Sequence, residues 1–153
     1  MELGTFGAIV RFAIELEGQA AAFYETTARG EFAEPFRQLG QGSRRRLQRL
    51  ERARREGVAE MILESIRGLD GDHYRLDPVL ATDEADLRRQ AIALEETMAR
   101  FYRDAAAKMP IPEIGRLFRQ LAAENEKRQA EIGNPPRPCG AVCSQDGEER
   151  VRD

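Results

Sequence analysis

A chain of 153 residues, 41% hydrophobic and 33% charged, has the length of one domain and enough apolar material for a core without disulfide or metal staples. Its net charge of −3 and pI near 5.4 give no global attraction to nucleic acid or an anionic membrane, and no apolar run approaches the ~20 residues of a transmembrane helix. Met1-Glu2-Leu3-Gly4 places no basic stretch before an apolar one, so no secretory signal is expected, and with only Cys139 and Cys143 as thiols a cytoplasmic setting is the default.

Four long helices are predicted. The first runs from about Thr5 to Arg29, with Thr5 as N-cap and Gly30 as C-cap. Phe6, Val10, Ala13, Glu17, Ala20 and Tyr24 recur at three- and four-residue steps and share one face of it. The second starts near Pro35, suited to a first helical position, and stops at Gly57, with Leu39, Ser43, Arg46 and Leu50 on its inward face. The third is capped by Thr82 or Asp83 and runs to about Lys108. The fourth runs from about Pro112 to Ile132, stops at Gly133, and turns Leu121, Asn125, Arg128 and Ile132 inward. Short links join the first helix to the second and the third to the fourth, which makes each pair antiparallel neighbours. The stretch between Gly57 and Thr82 is long enough to cross a bundle. A short helix is expected there at Ala59–Ile66, with Met61, Ile62, Leu63 and Ile66 as contacts, followed by turns at 68–72. The expected architecture is therefore all-α: a four-helix bundle over residues 1–133 made of two helical hairpins and a long crossover at 57–82. Residues 134–153, opening with Pro135-Pro136-Arg137-Pro138, are expected to form an extended or disordered tail.

The two halves repeat. Ala13-Ile14-Glu15-Leu16-Glu17 with Phe23-Tyr24 and Phe36-Arg37-Gln38-Leu39 returns as Ala91-Ile92-Ala93-Leu94-Glu95 with Phe101-Tyr102 and Phe118-Arg119-Gln120-Leu121. On these residues the chain resembles the rubrerythrin-type ferritin-like superfamily over roughly residues 5–133. The resemblance implies a ferritin-like bundle in which the first and third helices each give a Glu seven residues before a Tyr, and the second and fourth each give Glu-x-x-His, holding two irons. Glu17 with Tyr24 and Glu95 with Tyr102 match that pattern. The Glu-x-x-His slots fall instead on Ser43 and Arg46, and on Asn125 and Arg128. A guanidinium has no lone pair for iron. Slipping the register brings Glu124 or Glu126 closer but no histidine, because the sole one, His73, lies in the crossover.

The expectation drawn from the resemblance is a network of Glu17, Glu95, Arg46 and Arg128 where the metal would sit, paired bidentately through the arginine fork. Ser43, Asn125, Tyr24 and Tyr102 complete its hydrogen bonds. The bland alternative is that both arginines snorkel to the surface.

Arg44, Arg45, Arg46, Arg49, Arg52, Arg54 and Arg55 crowd the second helix; Arg45, Arg49 and Arg52 share a stripe, but no aromatic interleaves them, so a solvated face is preferred over nucleic-acid contact. Cys139 and Cys143 form a single pair, too few thiols for a four-thiolate metal site within one chain. A disulfide, a metal shared between subunits and a redox switch stand against two idle thiols in a tail, on an equal footing. His73 among Asp70, Asp72 and Asp77 reads as a solvated loop, and Met98 as core.

Two functions of different class follow. The first is a non-catalytic helical module with a structural centre, no cofactor, and association with itself as a homodimer or with a protein partner. The second is an iron-dependent oxidoreductase or iron-handling protein built on Glu17 and Glu95, with Glu15, Glu96, Glu124 or another subunit's groups completing the ligands; the resemblance implies peroxidase or ferroxidase chemistry for it. A weaker third is a thiol redox adaptor acting through Cys139 and Cys143. The first is preferred because no Glu-x-x-His occurs anywhere in the chain.

Overall fold

A computed structural model describes residues 1–57, 65–77 and 83–134. Four α-helices account for most of them: α1 (Phe6–Thr27), α2 (Ala33–Gly57), α3 (Glu84–Lys108) and α4 (Pro112–Gly133). Each start has a local cause. The Thr5 side chain accepts from the Ala8 N–H at 3.1 Å and caps α1, and Asp83 accepts from Asp86 at 2.8 Å and caps α3. Glu84 and Asp86 add negative charge to the positive end of α3. Pro112 opens α4, where its missing N–H costs nothing.

Two boundaries differ from the sequence expectation. The first helix ends at Thr27, before Gly30, which at φ +60° instead opens a 3-10 turn, Gly30–Phe32. The second begins at Ala33 rather than at Pro35, which is tolerated inside the first turn because those N–H groups lack helical acceptors anyway. The cap of α3 is Asp83; Thr82 lies outside the described residues, as do Ala59, Met61, Ile62 and Leu63 of the expected crossover helix. Ser65 and Ile66, which are described, are not helical.

The register is read from cross-helix contacts. Along the α1–α2 seam Phe6 meets Gly57, Gly18 meets Leu47 and Tyr24 meets Gly40, so the two run antiparallel. Between α3 and α4, Ile92 meets Gly133 and Ala106 meets Gly115, again antiparallel. Packing is densest within these two pairs. Between pairs, Arg46 reaches Asn125 and Arg49 reaches Gln120, which sets α2 antiparallel to α4. The crossover segment 65–77 follows α1 and α3: Ile66 and Leu69 hydrogen-bond Gly4 and Leu3, Gly71 abuts Phe12, and Tyr74 packs on Phe101. The result is an all-α four-helix bundle. No helix among the described residues is long and apolar enough to cross a membrane.

The core holds aromatic residues at both levels around the bundle middle. Tyr24, Phe36, Phe101, Tyr102 and Phe118 are all 0% exposed, and Met98 is buried among apolar neighbours. Burying each such side chain contributes on the order of 1.5–3 kcal/mol. Among the described residues, five polar side chains share this interior: Glu17, Ser43, Arg46, Glu95 and Asn125.

Candidate functional site

Glu17 faces inward from α1 and Glu95 from α3 because each lies on the apolar face of its helix, one or two turns from buried alanine and leucine positions. A carboxylate in that place must be paired or neutralised, since an isolated buried charge costs several kcal/mol.

The pairing crosses between the two halves. Tyr24 does not serve the carboxylate of its own helix; its hydroxyl donates to Glu95 Oε1 at 2.6 Å. Reciprocally, Tyr102 donates to Glu17 Oε1 at 2.7 Å. These two bonds relate α1 and α3 by an approximate two-fold exchange. Burial and the adjacent carboxylate charge both hold the two phenols well above the ordinary tyrosine value, so they stay donors.

The contributions of α2 and α4 break that symmetry. Asn125 donates through Nδ2 to Glu95 Oε2 in a short hydrogen bond, so both Glu95 oxygens are engaged. Arg128 stands with Nη1 3.7 Å from Glu95 Oε1 and donates to Ser43 Oγ at 3.3 Å. On the other side Arg46, with a side chain 3% exposed, lies 3.3 Å from Glu17 Oε1 but spends its Nη2 hydrogens on Asn125 Oδ1 (2.6 Å) and the Leu121 carbonyl (3.2 Å). Its plane also lies over the Tyr102 ring at 5.5 Å. Glu17 Oε2 and Arg46 Nε and Nη1 are buried without a hydrogen-bond partner.

The structure therefore brings Glu17, Arg46, Glu95, Arg128, Ser43, Asn125, Tyr24 and Tyr102 into one buried cluster. The bidentate carboxylate–guanidinium pairing does not occur. Asn125 and the Leu121 carbonyl outcompete Glu17 for the Arg46 donors, and Arg128 approaches only at ion-contact distance. Neither arginine snorkels fully: Arg128, at 13%, is the more exposed of the two. Burial raises Glu17 above the ordinary carboxylate value near 4.5, against the opposing pull of Arg46, the Tyr102 hydrogen bond and Arg128. Burial also works against the charge on Arg46, but Glu17, Tyr102, Glu95 and Glu124 outweigh it and hold that group raised.

Two further contributors lie outside the expected charge-pair network: Glu124, which the sequence offered only as a candidate metal ligand, and Gly42, which it did not single out. Glu124, half-exposed on α4, lies 3.7 Å from both Arg46 Nε and Arg49 Nη1. Gly42 supplies a notch: a Cβ there would lie 2.5 Å from Arg128 Nη2. The legible signal for the notch was Gly40-Gln41-Gly42 in a helix interior, where glycine is unfavourable unless another group needs the space.

The remaining candidates lie elsewhere. Glu15 and Glu96 are exposed, and Glu126 pairs with Arg103 on the surface. His73 is exposed in the crossover turn. Cys139 and Cys143 lie outside the described residues. Among the described residues no three His, Cys, Asp or Glu side chains cluster closely enough to hold a metal. Iron, which the resemblance implies, does not fit the donor set of the centre: Glu95 has both oxygens engaged, and the two positions beyond it are guanidiniums without lone pairs.

No family model, curated protein or solved structure matches the chain.

Proposed function

We propose that the chain is a rubrerythrin-type, ferritin-like helical protein whose metal centre has given way to Glu–Arg pairs, and that it works by association rather than catalysis. The observation that carries this is the reciprocal pair Tyr24–Glu95 and Tyr102–Glu17, closed by Arg46 and Arg128 at 3.3 Å and 3.7 Å from the carboxylates. Such a centre has charge balance without an ion. It also ties four helices to one register, a use of buried polar groups attested in other helical assemblies. Its members are held by one another and do not open onto a substrate: both carboxylates are fully buried.

The iron alternative has one foothold, the unpartnered Glu17 Oε2. Elemental analysis of protein loaded anaerobically with ferrous iron and then desalted separates the two functions. The expected result is no retained iron with the helical fold intact. About two irons per chain, lost in Glu17→Ala/Glu95→Ala, would restore a di-iron oxidoreductase. Double-mutant cycles give a second readout. Removing Arg46 alone leaves a buried charge short of its partner and is expected to cost about 3–5 kcal/mol, much of it recovered when Glu17 is also replaced. Coupling near zero for both Glu17–Arg46 and Glu95–Arg128 would sink the charge-pair centre.

A further inference from the structure

The centre is closed to substrates, but an electron needs no opening to reach it. Tyrosine occurs three times in the chain and tryptophan not at all, so phenols are its most easily oxidised aromatic groups. Each of the three donates to a carboxylate: Tyr24 to Glu95 at 2.6 Å, Tyr102 to Glu17 at 2.7 Å, and Tyr74 to Asp104 Oδ2 at 2.6 Å. Tyr74, in the crossover, is the nearest of them to solvent, since its hydrogen bond is only part-buried and Asp104 is partly exposed. Tyr102 is fully buried. The Phe101 ring packs against both, 5.4 Å from the Tyr74 ring and 5.3 Å from the Tyr102 ring. The Tyr24 ring packs on Phe23 and Phe36 instead.

Charge gives these contacts a chemical consequence. The Arg100 guanidinium stands over the Tyr74 ring at 5.4 Å, and that of Arg46 over the Tyr102 ring at 5.5 Å. A phenol that lost only an electron would become a cation radical beside a fixed positive charge, which electrostatics opposes. A phenol that also gives its proton to a hydrogen-bonded carboxylate becomes a neutral phenoxyl radical. Burial first, and the adjacent carboxylate after it, push Tyr74 up to about 12 and hold Tyr102 well above the ordinary value, so both are protonated donors at rest.

We propose that Tyr74, Phe101 and Tyr102 form a relay that carries one oxidising equivalent from an outer-sphere one-electron oxidant at the surface into the bundle interior. In the first step one electron leaves Tyr74 for the oxidant and the phenolic proton moves to Asp104. In the second, an electron passes from Tyr102 across the Phe101 ring to the Tyr74 radical. The proton on Asp104 returns to Tyr74, and the Tyr102 proton moves to Glu17 Oε1. The oxidant has then gained one electron, Tyr102 is a phenoxyl radical and Glu17 a carboxylic acid. Phe101 is never oxidised; its ring only fills the space the electron crosses. The relay goes beyond the association function proposed above and uses no metal.

The test is freeze-quench electron paramagnetic resonance of the full chain, oxidised by photogenerated trivalent ruthenium tris-bipyridine. Cys139 and Cys143 are first reduced and alkylated so that thiols do not compete. The expected result in wild type is a long-lived tyrosyl radical that forms more slowly in heavy water. Tyr74→Phe and Asp104→Asn are expected to lose most of that signal. Tyr102→Phe is expected to give a radical confined to Tyr74, which decays quickly, and Glu17→Gln to shorten the lifetime likewise although both phenols remain. No radical in wild type, an undiminished yield in Tyr74→Phe, an unchanged lifetime in Tyr102→Phe, or equal rates in water and heavy water would each overturn the relay. Tyr74→Phe and Asp104→Asn leave the hydrogen bonds of the centre untouched, so they decide the matter should the interior variants fail to fold.

Discussion

Glu17 and Glu95 occupy equivalent places in the repeat but are held unequally. Glu95 accepts from Tyr24 and Asn125, while Glu17 accepts from Tyr102 alone and keeps Oε2 unpartnered. Tyr102→Phe is therefore expected to cost more than Tyr24→Phe. The former strips a buried carboxylate of its last hydrogen bond, at about 1.5–3 kcal/mol, and the latter leaves Glu95 with Asn125. Urea denaturation of both variants checks the order, and a larger loss for Tyr24→Phe contradicts it. The pH dependence has a definite sign. Burial raises Glu17 in the folded state above its ordinary value near 4.5, so the native state holds that proton more tightly than the unfolded chain does. The contribution is fully present below the unfolded value and is lost as pH rises through the folded one. Measured against Glu17→Gln, which lacks the titrating carboxyl, wild-type stability should decline over that window. Parallel stability curves for the two proteins would show that Glu17 titrates as it does in water.

At the scale of the element, Gly42 shows how a helix gives up local preference for a neighbour. Glycine within a helix costs about 0.5–1 kcal/mol relative to alanine, yet a Cβ at Gly42 would displace the Arg128 guanidinium from its place over Ser43 and Glu95. Gly42→Ala is accordingly expected to be neutral or destabilising in the wild type, and to stabilise by about 0.5–1 kcal/mol once Arg128 is replaced by alanine. Additive effects in the denaturation midpoints of the four proteins would exclude the notch. The helices themselves were legible from caps and periodicity: Thr5, Pro112, Lys108 and Gly133 stand at or next to the observed ends. The two misplaced boundaries, at Gly30 and Pro35, share a cause. Both residues have a second conformational use, a positive-φ turn for the glycine and the donor-free first turn for the proline, and spacing alone does not choose between the uses.

At the scale of the molecule, α1–α2 and α3–α4 are densely packed pairs joined mainly through long side chains. The two tyrosine–carboxylate bonds and the Arg46–Asn125 bond span the gap. In wild type the interior amides of all four helices are expected to exchange through one common global opening. In Tyr24→Phe/Tyr102→Phe the protection of one pair is expected to fall below that of the other, as measured by hydrogen exchange with peptide resolution. A double variant that opens as one unit would show that apolar contacts between the pairs, such as the Phe12 and Phe101 rings 5.1 Å apart, couple them unaided.

The sequence by itself determined the helices and their inward faces, while the expected members of the centre came from what the resemblance implies. A period of three to four residues places Glu17, Ser43, Arg46, Glu95 and Asn125 on inward faces, whatever those faces later meet. It also excluded the usual iron ligands, because the absence of histidine from all four helices is a fact of composition. Only the tertiary structure decided who pairs with whom. Tyr24 bonds the carboxylate of α3 rather than that of its own helix, Arg46 gives its hydrogens to Asn125 and the Leu121 carbonyl before Glu17, and Arg128 occupies space left by Gly42. Hydrogen bonds are directional and short, so their partners depend on helix register and separation to within a fraction of an ångström, and periodicity carries neither quantity.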